Sequence, residues 1–259
     1  MRPDCIENPY IVTLSDPDSP IAEAYRNIKS MIVRVTKQNG FNNTLLVTSS
    51  LSGEGKSLSS LNLAVTLSHE YDHTVLLIDA DLRNPSLHKY FNMEPKLGLS
   101  DCLTNGIDMG EALIRTQIEK LNFLPAGNNV PNPAELLSSS RMKDLVAEMK
   151  SRYSDRYIII DTPPVLPFAE SRSLSMIADG IIFVVREGMV PFHGIQEAIE
   201  FLKKGNIIGV LFNDVSAENL NGYHKYYYRE YEKYKKNTIT QNTKHTVRQD
   251  KEESKNNNR

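Results

Sequence analysis

An ammonium, a hydroxyl and three carboxylates in this 259-residue chain are spaced so that together they could hold a metal-bound nucleotide. Lys56 and Ser57 close the stretch Ser50-Leu-Ser-Gly-Glu-Gly-Lys-Ser57, which follows the pattern G-x-x-x-x-G-K-[ST] with Ser50 in place of the first glycine. Small residues let successive backbone N–H groups converge on phosphate oxygens, and a helix that follows points its positive N-terminal end at the same spot. Lys56 would reach the β- and γ-phosphates, and the Ser57 hydroxyl would hold Mg²⁺. The carboxylates are Asp79 and Asp81, in Ile78-Asp-Ala-Asp-Leu-Arg83, and Asp161, in Ile160-Asp-Thr-Pro-Pro164. An acid that ends a hydrophobic strand can hold Mg²⁺, usually through water. Asp79 in such a turn could instead cap the helix that follows.

These groups act together only if the elements that carry them end at one edge. The apolar runs Leu45–Val47, Thr74–Ile78, Leu121–Leu124, Tyr157–Ile160, Gly180–Val185 and Ile207–Phe212 predict strands. An amphipathic run from Lys56 through about His69, a helix opening at Asn132 and helical periodicity from Gly194 to Lys204 lie between them. Strands alternating with helices at these spacings predict an α/β fold, a doubly wound and mostly parallel sheet with helices on both faces. Ligands of such sheets bind beyond the C-terminal ends of the strands, where Lys56, Asp79, Asp81 and Asp161 all fall. Asn213, after the last predicted strand, either hydrogen-bonds an adenine base there or simply turns the chain.

Composition narrows the function. A formal net charge of −2 and a pI near 6.3 leave no electrostatic footprint for nucleic acid. Two cysteines, Cys5 and Cys102, suggest neither a disulfide framework nor a metal site, so a reducing cytoplasm is expected. No apolar run reaches the ~18 residues that span a bilayer, and no signal peptide opens the chain, so any membrane location is expected to come through a partner.

Three parts are expected. Residues 1–18 are polar, carry Pro3, Pro9 and Pro17, and predict a flexible lead-in. Residues 19–220 predict the α/β domain, its first helix opening with Ser19 as N-cap and Pro20 in the first turn. On that helix Glu23, Arg26 and Lys29 recur every three residues, as a solvated face or a subunit contact. Residues 221–259 predict a flexible tail. Tyr223, Tyr226, Tyr227, Tyr228, Tyr231 and Tyr234 are half of the chain's 12 tyrosines, interleaved with Lys, Arg and Glu that leave no clean apolar face. After Lys235 almost nothing apolar remains to drive ordering. A tyrosine-dense tail reads as a substrate, or else as a docking segment.

Ser50–Ser57, Leu76–Arg83, Ile158–Pro164 and the tyrosine cluster, in that order, resemble the bacterial tyrosine kinases that accompany capsule and exopolysaccharide synthesis, the BY-kinase family of P-loop NTPases related to the deviant-Walker ATPases. The resemblance runs from about Ser19 to Tyr234. It implies ATP and Mg²⁺ as cofactors, with the phosphates bound by Lys56 and the loop Ser52, Gly53, Glu54, Gly55, Ser57 and Leu58. It implies Ser57, Asp81 and Asp161 around the metal, and Asp79 as the base for the incoming tyrosine. A phenol with a pKa of ~10 is a weak nucleophile until its proton is taken. The tail tyrosines become the autophosphorylation sites. The family's oligomerisation motif is glutamate, two residues, arginine, two residues, arginine. Glu23 and Arg26 fit it, but Lys29 stands last and lacks the planar fork of arginine, so assembly into a ring would be altered. A separate transmembrane adaptor that recruits the chain to the inner face of the cell membrane, a cognate tyrosine phosphatase and polysaccharide-synthesis enzymes as substrates are the partners implied.

Two alternatives use the same nucleotide site. A ParA- or MinD-like ATPase switch usually carries a lysine early in the phosphate loop, whereas Leu51 and Ser52 precede Gly53 here. A nucleotide-responsive scaffold of a polysaccharide export complex would assemble around ATP with phosphorylation incidental.

Overall fold

The computed structural model describes residues 8–38, 40–152, 155–216, 218–220, 222, 225, 226, 228–231 and 233, and among them seven strands form one sheet. They are β1 (Thr44–Ser49), β2 (Thr74–Asp79), β3 (Ile114–Arg115), β4 (Leu121–Leu124), β5 (Arg156–Asp161), β6 (Gly180–Arg186) and β7 (Ile207–Asn213), in the spatial order β3-β4-β2-β5-β1-β6-β7. All neighbours run parallel except β3, which pairs antiparallel with β4 through Ile114 and Phe123. A two-residue edge strand has no periodicity to betray it, and β3 is absent from the prediction for that reason.

The inner strands read as continuous apolar runs because both faces of the sheet are covered there, whereas the edge strand β7 leaves Val210 and Phe212 exposed. Leu46, Leu76, Ile78, Ile158, Ile160 and Phe183 point into one core, whereas Leu45, Val47, Val75, Leu77, Ile159 and Val184 point into the other. Alternation along each strand thus divides the core between two layers. The second core is closed by α1 (Val12–Ser15), α2 (Pro20–Thr36), α3 (Lys56–Ser68) and α4 (Leu87–Tyr90). The first is closed by α5 (Leu99–Asn105), α6 (Met109–Ala112), α7 (Pro133–Ser138), α8 (Ser140–Arg152), α9 (Glu170–Leu174) and α10 (Phe192–Phe201).

Two expectations are corrected. The predicted amphipathic helix is α3, but every residue of it except Leu58 is buried, so no polar face meets solvent. Several of its polar residues offset their desolvation through hydrogen bonds: Ser60 Oγ lies 2.9 Å from the Lys56 carbonyl, Thr66 Oγ1 donates to that of Asn62 at 2.6 Å and Ser68 Oγ to that of Val65 at 2.8 Å. The predicted flexible lead-in is, over residues 8–16, docked against α3. Ile11 is fully buried, the Val12 amide donates to Asn62 Oδ1 at 2.9 Å, and Asn62 Nδ2 donates to the Tyr10 carbonyl at 2.9 Å. One buried asparagine and one isoleucine outweigh the local polarity that suggested a loose segment.

The chain divides into two units, one of Met1–Pro17 and Ile21–Asp214, which holds the sheet, and one of Asp18–Pro20 and Val215–Arg259. In the second, Lys225, Tyr226, Tyr228–Tyr231 and Lys233 are helical, and Tyr226 is 65% exposed. Tyr223, Tyr227 and Tyr234 lie outside the described residues. No helix among the described residues is long and apolar enough to cross a membrane.

Candidate functional site

Strand order brings the distant motifs together. β5 lies between β2 and β1, and its last residue, Asp161, is level with Asp79 on one side and Val47 on the other. Three chain segments far apart in sequence therefore leave the sheet side by side: the phosphate loop after β1, the Asp79–Arg83 turn after β2 and the Asp161–Pro164 turn after β5.

The phosphate loop is built in advance of any ligand. Gly53 and Gly55 sit at φ of +88° and +90°, the left-handed region that side chains disfavour. Gly55 is also the N-cap of α3, so no side chain closes the first turn and its amides remain for an anion. Glu54, predicted among the ATP-binding residues, turns its carboxylate inward, fully buried. It accepts the Leu51 amide at 2.6 Å and the Arg186 amide at 3.3 Å. Burial pushes this carboxyl above its usual pKa, and the amides work against that rise. Asn213 Nδ2 donates to the Glu54 carbonyl at 2.9 Å, and Arg186 Nη1 donates to that of Gly53 at 3.3 Å. The loop is thus moored to the ends of β6 and β7. Ser52 and Gly53 stay exposed, and Leu58 is half-buried at the start of α3. Ser50, where the pattern expects glycine, is fully buried and its hydroxyl finds no partner.

Lys56 donates to Asp81 Oδ2 at 2.8 Å and to Ser57 Oγ at 3.3 Å. Burial acts to lower the pKa of this ammonium, but Asp161, Asp81 and Asp79 outweigh it and hold the lysine above its ordinary value. Asp161 is fully buried; Ser60 Oγ donates to its Oδ1 at 3.0 Å, while Oδ2 accepts no hydrogen bond. Burial raises the Asp161 carboxyl, against the pull of the Lys56 charge. Asp79 takes the capping geometry: Oδ1 accepts the Asp81 amide at 3.2 Å, and Oδ2 accepts those of Ser86 and Leu87, each at 3.1 Å, where α4 begins. Burial, with the charge of Asp161, pushes Asp79 up to about 7.

The donor set suits a hard cation. A hydroxyl and two carboxylates, one of them with an unpartnered buried oxygen, are oxygen ligands of the kind Mg²⁺ takes. Among the described residues no group of three or more His, Cys, Asp or Glu could itself cage a metal. That fits an ion bound by one or two carboxylates together with substrate phosphates.

Sequence reasoning brought Lys56, Ser57, Asp79, Asp81 and Asp161 to one place, and there they stand. It missed Ser60, one turn after Ser57 on the same face of α3, and the mooring residue Arg186, which no motif marks. The charged α2 residues are paired elsewhere: Arg26 with Glu23 at 2.7 Å, both about 40% exposed, and Lys29 with Glu70 at 2.6 Å.

A family model described as an AAA domain matches residues 43–207. The chain is similar to the tyrosine-protein kinase YwqD of Bacillus subtilis, 35% identical over 205 residues that cover 78% of this chain and 85% of the relative. It is also similar to the tyrosine-protein kinase CpsD of Streptococcus agalactiae, 32% identical over 178 residues, 68% of this chain and 75% of that one. Among solved structures, the chimerical protein CapA2B2 superimposes with a TM-score of 0.74 at 29% identity, over 80% of this chain and 90% of that one.

Proposed function

The chain belongs to the bacterial tyrosine-protein kinases of the BY-kinase family, and from that premise we propose that it transfers the γ-phosphoryl group of ATP to tyrosines of its own tail, between neighbouring subunits. The observation that carries this is the meeting of Lys56, Asp81 and Asp161 beside a preformed phosphate loop, in a chain with half its tyrosines between Tyr223 and Tyr234.

Phosphoryl transfer asks a protein chiefly for position and charge neutralisation. Lys56, held protonated by its three acids, would exchange Asp81 for phosphate oxygens with little net change in local charge. The loop amides from Ser52 to Leu58 would bind the phosphates, with Glu54 and Arg186 holding their directions. Ser57, Asp81 and Asp161 would hold Mg²⁺, which when bound neutralises charge on the phosphates. Ser60 would aim Asp161 by occupying Oδ1 and leaving Oδ2 toward the site. Asp79, as the proton acceptor for the tyrosine hydroxyl, would share an oxygen now taken by amides at the start of α4. Asn213, which fixes the loop through the Glu54 carbonyl, would border the adenine from the end of β7.

Around this chemistry we place the assembly that the family resemblance implies. Glu23 and Arg26, half-exposed on α2, would meet a neighbouring subunit in a homo-oligomer or ring, and Lys29 would have to leave Glu70 to join them. A separate transmembrane adaptor would recruit the chain to the cytoplasmic face of the membrane. A cognate tyrosine phosphatase would reverse the modification, polysaccharide-synthesis enzymes would be further substrates, and the pathway served would be capsule or exopolysaccharide synthesis.

Phosphotyrosine mapping by mass spectrometry on protein purified from its native cells, beside the Lys56→Met form, tests the proposal. Phosphate on tyrosines 223–234 in the wild type alone is expected. An unmodified tail in both would turn the reading toward an ATPase switch or scaffold.

A further inference from the structure

The turns that carry Asp81 and Asp161 are joined by backbone near the sheet and by side chains beyond it. At the strand ends, the Ala80 amide donates to the Asp161 carbonyl at 2.8 Å. Further out, the segment after Asp161 is laced to β1 and the phosphate loop. The Thr162 hydroxyl donates to the Val47 carbonyl at 2.9 Å, the Val165 amide to Ser49 at 2.8 Å and the Leu166 amide to Ser50 at 3.2 Å. Toward β2 the same segment is held by an ion pair. Arg83 Nε donates to Glu170 Oε1 at 2.6 Å, and the Arg83 guanidinium lies 4.7 Å from the centre of the Phe168 ring.

The pair is lopsided. Glu170 is 1% exposed and Arg83 40%, and Glu170 Oε2 is buried with no hydrogen-bond partner. A carboxylate taken out of water with half of its acceptor capacity unused is a poor device for stability, since an apolar residue of similar volume would avoid the desolvation. What the pair does fix is geometry. Arg83 lies two residues beyond Asp81, and Glu170 anchors α9 at the end of the segment that Asp161 begins. The planar guanidinium, seated on Phe168 and bonded to Glu170, permits only a narrow range of separation between the two turns.

We propose that Arg83 and Glu170 form a latch that sets the spacing of Asp81 and Asp161, and so are positioning residues for the metal-bound nucleotide. The latch rests on the reading of Ser57, Asp81 and Asp161 as the metal site. It acts on the ligands through the turns that carry them, the kind of outer contact whose loss weakens metal binding without touching the ion. Arg83 neither faces a phosphate in this account nor moves a proton.

The test uses the full chain and a fluorescent ADP analogue, titrated with and without Mg²⁺, in wild type, Glu170→Met and Arg83→Lys, with thermal melts alongside. Methionine keeps the buried volume of Glu170 and leaves Arg83, already half in water, to be solvated. Wild type should bind the analogue more tightly with Mg²⁺ than without. Glu170→Met should keep the metal-free affinity and lose about tenfold of the Mg²⁺-dependent gain. Arg83→Lys, which still neutralises Glu170 but lacks the fork, should melt close to wild type and lose part of that gain. A full wild-type gain in a folded Glu170→Met overturns the latch. Should that variant not fold, a full gain in Arg83→Lys overturns it. No Mg²⁺-dependent gain in wild type would overturn the metal-site reading itself, and the latch with it.

Discussion

Adding a single methyl group at Gly55 tests whether the phosphate loop is held as the geometry says. Gly55 sits at φ +90°, and a Cβ built there would lie 2.1 Å from Asn213 Nδ2 and 3.3 Å from its Cγ. Gly55→Ala therefore incurs two costs. Holding an L-residue in the left-handed region costs about 1–2 kcal/mol. Expelling the Asn213 amide breaks its 2.9 Å hydrogen bond to the Glu54 carbonyl, a further loss of about 1 kcal/mol. Gly53→Ala is the internal control. Its φ is +88°, but the nearest atom to its Cβ is the mobile end of Met189 at 3.1 Å, so only the backbone cost of about 1–2 kcal/mol applies. Equilibrium urea unfolding should rank Gly55→Ala below Gly53→Ala by about 1 kcal/mol. Asn213→Ala should cost about the same alone and nothing further on top of Gly55→Ala, because the hydrogen bond is already gone. Equal costs for the two glycine variants, or additive costs for Gly55→Ala and Asn213→Ala, would refute the mooring of the loop by Asn213.

Three further outcomes follow from the same structure. Lys56→Met and Asp81→Asn should each abolish tail phosphorylation in phosphotyrosine mapping, and retained modification in either purified variant would remove the proposed site. The Lys29–Glu70 pair gives a pH signature. The hydrogen bond from Lys29 holds the Glu70 carboxyl below its ordinary 4.5, so its contribution is complete above that value and is lost as pH falls through the depressed one. Glu70→Gln should thus cost about 0.5 kcal/mol in urea unfolding at pH 7 and progressively less as the pH is lowered below 4.5, and a cost that does not fall would discount the ion pair. Asn62→Ala should release the lead-in. With its bonds to Val12 and Tyr10 gone, hydrogen exchange at the Val12 amide should rise about fivefold or more, equivalent to about 1 kcal/mol, while the β1 amides stay protected. Unchanged exchange at Val12 would mean that Ile11 and the contacts of Asn8 and Tyr10 with Tyr90 hold the segment without Asn62.

The inner strands were legible because a sheet covered on both faces there leaves apolar runs; β7 is as apolar in sequence but lies at the edge with Val210 and Phe212 exposed. Their ends were less so: β2 and β5 each run one residue past the predicted boundary, which puts Asp79 and Asp161 inside the sheet and level with each other. Lys56, Ser57 and the three acids were legible because phosphate binding constrains residue type and spacing within one loop. Their supporting contacts were not. Glu54 sits within the motif but faces inward, toward an amide of Arg186 that lies 132 residues away in the chain. No local pattern encodes such a partner.

The same limit explains why α3 looked amphipathic and is not. Ser60, Asn62, Thr66 and Ser68 are polar by type, and a periodicity count assigns them to solvent. In the fold they are buried, because a short hydroxyl can return its hydrogen bond to the helix's own carbonyls and an asparagine can read the backbone of a strap laid across it. This carries a consequence for the site. Ser60 Oγ lies 2.9 Å from the Lys56 carbonyl and 3.0 Å from Asp161 Oδ1 and shares its one proton between them, so the residue that lets α3 be buried here also faces the last strand-end acid. Packing and site geometry meet in one side chain. A small polar residue there serves both, whereas a larger apolar one would fill the layer and take from the fully buried Asp161 its hydrogen bond at Oδ1.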